Sequence, residues 1–198
     1  MPNHLPLKTL VTDKFEVFDW RNGLALLDAV HPESLSEILT VLEGFVLKRS
    51  DIERGGGNKS PIARALDEKL YAQGWVEKSF DTRILVDEIE YETPTHSVDC
   101  FKNRVALEVE WNNKDPFFDR DLNNFRLLYE LRVIDLGVII TRATSLEKLL
   151  RASGRNITTY GKATTHTDKL IPKIKGGGAG GCPVIVFGIT NGAYRDDL

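Results

Sequence analysis

The chain has 198 residues, 41% of them hydrophobic and 28% charged, with a net charge of −3. This is the composition of a soluble globular protein long enough for one substantial core. No apolar run is long enough to span a bilayer, and Met1–Asp13 lacks the basic-then-apolar layout of a secretory leader. Cys100 and Cys182 are the two cysteines, and no Cys-x-x-Cys spacing is present, which excludes a zinc ribbon and predicts reduced thiols in a cytoplasmic protein.

Charge is unevenly spread. Between Asp87 and Asp121 ten acids stand against four bases, a net of −6, and between Arg142 and Lys175 eight bases stand against two acids, a net of +6. An acidic centre beside a basic flank suits a metal-dependent phosphodiesterase, in which acids hold a cation and bases hold phosphates. Two solvated surfaces of opposite sign would give the same counts.

Lys14–Trp20, with Phe15, Val17 and Phe18, predicts a short strand, and Arg21–Val30 a helix ending near His31-Pro32. Ser34-Leu35-Ser36-Glu37 has the form of a capping box. It would open a helix whose inward face is Leu35, Ile38, Leu39, Leu42, Phe45 and Val46. A glycine triplet holds neither helix nor strand well, so Asp51–Lys59 reads as a flexible loop. Ser60-Pro61 is a good N-cap and first-turn pair. It starts a helix to about Gln73, with Ile62, Leu66 and Leu70 inward and a stop at Gly74. A basic loop at a helix start makes Lys59 and Ser60 candidate phosphate contacts. The Gly-Lys-Ser/Thr ending of a nucleotide-binding loop is missing.

Trp75–Phe80 and Thr82–Val86 read as extended, Glu88–Thr95 as an acidic loop, and Thr95–Asp99 as a short extended piece. Arg104–Trp111 is the clearest strand. Its period of two puts Val105, Leu107, Val109 and Trp111 on one face and Ala106, Glu108 and Glu110 on the other. Asp119–Arg132 predicts a helix with Phe118, Leu122, Phe125 and Tyr129 on one stripe. Val133–Thr141 is nearly all apolar and predicts a strand buried on both faces. Thr144–Glu147 is a second capping box, opening a helix to about Ala152. Ser153–Lys162 reads as a polar loop, Thr164–Lys173 as a helix, Gly176–Gly181 as another flexible loop and Val184–Ile189 as a final buried strand. The fold class is therefore α/β: one domain over residues 1–198, with a mixed central sheet flanked by helices.

The chemistry concentrates at Asp99 to Trp111. An acid ends one extended segment, a short polar turn follows, and the next strand carries Glu108 and Glu110 on the same side. Magnesium takes one or two carboxylates plus waters and substrate phosphate. A further group two residues along the strand can reach the water that attacks phosphorus. In many nucleases of this layout that group is lysine; here it is Glu110, which can serve as general base or as an additional metal ligand. Taken alone, the spacing is also that of an ordinary solvated strand edge.

The stretch from Asp99 to Phe117 resembles the active-site segment of the BglII and BstYI family of type II restriction endonucleases, which have the PD-(D/E)xK fold. In that family an Asp is followed after eight residues by Glu-Val-Gln and an aromatic, then a polar turn and another aromatic. Here the series is Asp99, then Glu108-Val109-Glu110-Trp111, then Asn112-Asn113-Lys114-Asp115-Pro116-Phe117, so Glu110 stands where those relatives carry Gln. Ser60-Pro61 through Leu70, Gly74-Trp75-Val76-Glu77, Ile134-Asp135-Leu136-Gly137-Val138 and Pro183 to Ile189 extend the resemblance.

The resemblance implies a restriction-endonuclease-like fold and Mg²⁺-dependent hydrolysis of double-stranded DNA at a short palindrome. It further implies a GATC-centred site, 5′ overhangs, a homodimer, and a cognate DNA methyltransferase in the same cytoplasm. Asp99 and Glu108 would be metal ligands, Glu110 would orient or deprotonate the attacking water, and Glu77 would be a further polar group of the active site. Asn112 and Asn113, with Lys114, would contact DNA, since amides can donate and accept at an adenine edge. Arg155, Asn156, Lys173 and Lys175 are candidate groove or phosphate contacts from positive charge and glycine-rich surroundings. A repair or structure-specific nuclease, and a non-catalytic DNA-binding module, stay open as alternatives.

Overall fold

A computed structural model describes residues 9–54, 59–93, 95–152 and 164–198. In chain order, α1 (Thr9–Lys14) runs into β1 (Phe15–Trp20), followed by α2 (Gly23–Val30) and α3 (Pro32–Glu43). β2 (Leu47–Lys48) leads into α4 (Arg49–Glu53) and α5 (Pro61–Tyr71). Then come β3 (Val76–Lys78), β4 (Thr82–Val86), β5 (Ile89–Thr93), β6 (Val98–Lys102) and β7 (Val105–Glu110). The rest is α6 (Pro116–Glu130), β8 (Leu136–Arg142), α7 (Glu147–Ala152), α8 (Thr167–Lys175), β9 (Val184–Ile189) and β10 (Tyr194–Arg195).

Six strands pair in the order β1-β9-β8-β7-β6-β3. β7, β8 and β9 are parallel to one another, while β1, β6 and β3 are antiparallel to their neighbours. Every position of the three parallel strands is buried, as expected for strands covered by helices on both faces. The period of two divides their side chains between two cores. Val105, Leu107 and Val109 join Leu136, Val138, Ile140, Ile185 and Phe187 against Leu27, Leu35, Ile38, Leu66 and Leu70 of α2, α3 and α5. Ala106, Ile139 and Val186 face the other way, onto Phe118, Leu122 and Phe125 of α6 and Leu170 and Ile174 of α8. The face assignment read for Arg104–Trp111 therefore holds. Each large side chain buried this way contributes about 1.5–3 kcal/mol. Among the described residues no helix is long and apolar enough to cross a membrane.

Gly137 sets how closely α6 lies on β8. A Cβ at this position would stand 2.3 Å from Phe125 Cδ2. Gly137→Ala is expected to cost about 3 kcal/mol, roughly 10 °C in thermal midpoint for a chain of this size. An unchanged melting curve would show that the Phe125 ring can move aside freely.

Several local expectations are corrected. Ser34 is not an N-cap: α3 opens two residues earlier at Pro32, whose fixed φ suits a first helical position, and Ser34 is buried in its first turn. Glu37 is used elsewhere, accepting from Trp75 Nε1 at 2.8 Å and from Lys102 Nζ at 2.5 Å. Thr144 starts a short 3-10 turn, and its hydroxyl accepts from the Asp168 N–H at 3.1 Å, so it caps α8 rather than its own helix. Glu88–Thr95 is not a loop, because Ile89–Thr93 is β5, paired with β4. Asp87 and Glu88 turn the chain with positive φ (49° and 68°). β6 does not end at Asp99. It runs to Lys102 and turns at Asn103-Arg104, both with positive φ as a two-residue hairpin requires. Gly176–Gly181 is an ordered turn that buries Ala179 against the α6 and α8 core. The Gly55–Gly57 triplet and the loop read at Ser153–Lys162 lie outside the described residues.

Candidate active site

The site begins where β6 and β7 part. Their ladder pairs Lys102 with Val105, Phe101 with Ala106 and Cys100 with Leu107. Beyond that point carboxylates take over from backbone partners. The Asp99 N–H donates to Glu108 Oε2 at 3.2 Å, and the Val109 N–H donates to Asp99 Oδ2 at 3.1 Å. The tyrosine hydroxyl of Tyr71 donates to the Asp99 carbonyl at 3.0 Å and braces this edge from α5. The gap opens into a cleft of about 390 Å³, lined by Lys59, Ser60, Ala63, Glu77, Asp99, Val109, Glu110, Trp111, Asn113, Phe117 and Arg120. Six residues singled out from the sequence thus converge from separate elements: Lys59, Ser60, Glu77, Asp99, Glu110 and Asn113. Glu108 sits just behind them, 2% exposed.

A fifth carboxylate, which the sequence pattern did not single out, belongs to this group. Asp121, on α6, is 1% exposed and lies against both glutamates. Its signal was present, since it falls between Phe118, Leu122 and Phe125 on the inward stripe of the helix, where an acid is costly. Burial, then the negative charge of Asp121, raises Glu108 well above the ordinary carboxyl range. The same two causes push Glu110 up to about 9. Burial raises Asp121 too, against the pull of Arg120.

Arg120 donates to Asp121 Oδ1 from Nε at 2.9 Å and from Nη2 at 2.7 Å, and Nη2 reaches Glu110 Oε1 at 3.2 Å. Its guanidinium lies 4.6 Å from the Phe117 ring centre. Asn113 Nδ2 donates to Glu110 Oε2 at 2.6 Å. Among the described residues no N–H or hydroxyl donor reaches Asp121 Oδ2, and the Glu110 carboxyl is its neighbour.

Lys59 closes the other side of the cleft. Its ammonium is ion-paired with Asp67, a carboxylate buried on α5, and stands 3.7 Å from Asp99 Oδ1. Burial works against the Lys59 charge, but Asp67 overrides it and the pKa is raised. Burial pushes Asp67 up to about 6 despite the lysine beside it. Cys100 Sγ approaches Asp67 Oδ1 at 3.7 Å, and both cysteines are free and buried.

Other candidates are placed differently. Ser60 lines the cleft, but its hydroxyl accepts from the Ala63 N–H at 3.0 Å as the cap of α5. Asn112 turns the chain with φ 58°, and Lys114 is exposed beside it, bridged to Thr164. Lys173 is ion-paired with Asp119 at 2.6 Å, and Lys175 lies over the Phe18 ring at 5.7 Å, so neither lines the cleft. Arg155 and Asn156 lie outside the described residues.

Among the described residues no three His, Cys, Asp or Glu side chains converge as a ready cation cage. Magnesium needs fewer, because waters and a phosphate complete its octahedron. Asp99 and Glu108 are adjacent, and the neighbouring groups able to ligate a cation are carboxylates, which suits a hard divalent cation. The excess of carboxylates over the two cations Lys59 and Arg120 points the same way.

No curated protein gives a significant match to the chain. A family model described as "Restriction endonuclease BglII/BglIII" matches residues 15–189. That span runs from the first residue of β1 to the last of β9 and contains the whole six-stranded sheet, the cleft and its carboxylates. The mixed sheet flanked by helices is accordingly a restriction-endonuclease-like fold. The chain belongs to the BglII/BglIII restriction endonuclease family, a family of type II enzymes that cleave double-stranded DNA at specific sites.

Proposed function

We propose that the protein is a Mg²⁺-dependent enzyme of the PD-(D/E)xK type in which Asp99 and Glu108 hold the cation. The observation that carries this reading is the parting of β6 and β7 at these two carboxylates, with the cleft opening from the gap. Asp99 and Glu108 would hold a Mg²⁺ that, when bound, would acidify a water and offset charge on phosphorus oxygens. Glu110 orients the attacking water, itself held by Asn113 and Arg120. Glu77 takes part from the rim, on β3.

DNA would follow the Asn112-Asn113-Lys114 turn, with the start of α5 at Lys59 and Ser60 on its other side. Lys173, Lys175, Arg155 and Asn156 are proposed as outer groove or phosphate contacts. The enzyme would act as a homodimer, because a two-fold protein matches a palindrome and each subunit then cuts one strand. α6 and its neighbours are the proposed dimer surface, residues 1–198 form one endonuclease domain, and the protein works in the cytoplasm beside a cognate methyltransferase. The proposed target is GATC-centred and cut to leave four-base 5′ overhangs.

Sequencing the ends of plasmid fragments made with Mg²⁺ tests these details together. Every end is expected at one short palindrome containing GATC, with the same 5′ extension. Ends scattered over the plasmid would overturn site-specific action, and ends at one palindrome lacking GATC would overturn the target alone.

A further inference from the structure

We propose that Lys59, clamped by the buried carboxylate of Asp67, is a catalytic residue whose ammonium contacts a non-bridging oxygen of the scissile phosphate. This rests on the reading of Asp99 and Glu108 as the catalytic carboxylates.

β7 brings only negative charge to the cleft, since Glu110 stands two residues beyond Glu108. A phosphate drawn toward Asp99, Glu108 and Glu110 therefore needs fixed positive charge from another element. Lys59 and Arg120 are the cations in the cleft lining. Arg120 is engaged by Asp121 and Glu110. Lys59 is anchored on one side by Asp67 and meets Asp99 only at 3.7 Å, beyond a good hydrogen bond. Its ammonium has three donors, and its side chain is 36% exposed, so it can meet a ligand in the cleft.

Asp67 supplies an independent observation. It is 1% exposed on the inward stripe of α5, between Ala63, Leu66 and Leu70. A carboxylate there is costly unless paired. Its partners are the Lys59 ammonium and the Cys100 thiol, and the first of these fixes a cation beside Asp99. Asp67 is thus a positioning residue for Lys59.

During hydrolysis the water oxygen bonds to phosphorus and releases a proton to solvent, the ester P–O bond breaks, and the departing alkoxide takes a proton from solvent. Lys59 gives up no proton. It donates a hydrogen bond to an oxygen whose negative charge grows, which is where a fixed donor accelerates a reaction most.

The test is single-turnover cleavage of a plasmid at saturating protein and saturating Mg²⁺, with DNA binding measured separately in Ca²⁺. Lys59→Met is expected to lower the maximal rate roughly 10²–10³-fold, the usual loss for one such donor, with affinity within a few-fold. Lys59→Arg should recover part of the rate. Asp67→Asn should lower the rate with little change in affinity, and Asp67→Glu should restore part of it, which a merely structural role would not produce. The proposal is overturned if Lys59→Met reaches the wild-type maximal rate. If it does so at lower Mg²⁺, Lys59 only fills the cation's place; if it does so with weaker binding, Lys59 is a backbone contact. Glu108→Gln separates the two levels: wild-type cleavage by that variant would sink the underlying site instead.

Discussion

Glu108→Gln is expected to abolish DNA cleavage, by at least about three orders of magnitude, while DNA binding stays measurable. The substitution keeps the size of the side chain. Its amide oxygen can still accept from the Asp99 N–H, the bond that holds the parted strands. What disappears is the negative charge that would face a divalent cation from behind Asp99. The variant should fold at least as well as the parent, because Glu108 is a buried acid beside Asp121, Asp99 and Glu110. Lost cleavage with an intact or raised melting temperature is therefore the expected pair of results. Lost cleavage with a collapsed fold would instead mark Glu108 as structural.

Metal-free protein is expected to lose stability as pH rises from about 5 to about 9, and Glu110→Gln should remove its own part of that loss, beside the parts of Glu108, Asp121 and Asp67, which burial raises in the same direction. Glu110 is pushed from 4.5 up to about 9, by burial first and by Asp121 second. Above 4.5 the unfolded chain releases this proton, whereas the folded protein keeps it until about 9. The folded state therefore binds more protons across that window, and its stability falls with rising pH. The stabilisation is fully present below 4.5 and gone above about 9. Its size is on the order of a few kcal/mol, so melts in chelator at pH 8 should place Glu110→Gln several degrees above wild type. At pH 5 the two should nearly coincide. Asp135, held low by the Arg104 guanidinium, changes stability only below its ordinary value of 3.8 and stays out of this window. Parallel melting temperatures from pH 5 to pH 9 would show that the Glu110 carboxyl is not held protonated by its neighbours.

The two faces of β7 were legible from the sequence because a strand under helices must alternate strictly between two cores. The start of α5 was legible because Ser60 and Pro61 act locally, through one hydroxyl and one fixed φ. Asp121 and Asp67 were missed for a common reason. Each is a single acid on an otherwise apolar helical stripe, and counting charge along the chain assigns it to the surface. Placed by the helical period, both point inward, and both turn out to hold the groups of the cleft. The two capping boxes failed for a different reason. Glu37 and Thr144 have the right spacing, but tertiary partners, Trp75 and Lys102 for one and α8 for the other, compete for the same oxygens. Spacing within one segment carries no information about such partners.

The parting of β6 and β7 was also beyond the sequence. The sequence pattern ends a strand at Asp99, whereas Asp99 lies inside one whose backbone pairing is replaced there by carboxylates. That replacement turns two ordinary strand acids into a cleft.

The most direct measurement of the central claim is gel analysis of plasmid DNA incubated with the purified protein, once with Mg²⁺ and once with chelator. Discrete fragments with Mg²⁺ and intact plasmid with chelator are the expected result. A random smear with Mg²⁺, or equal cutting in chelator, would contradict the account.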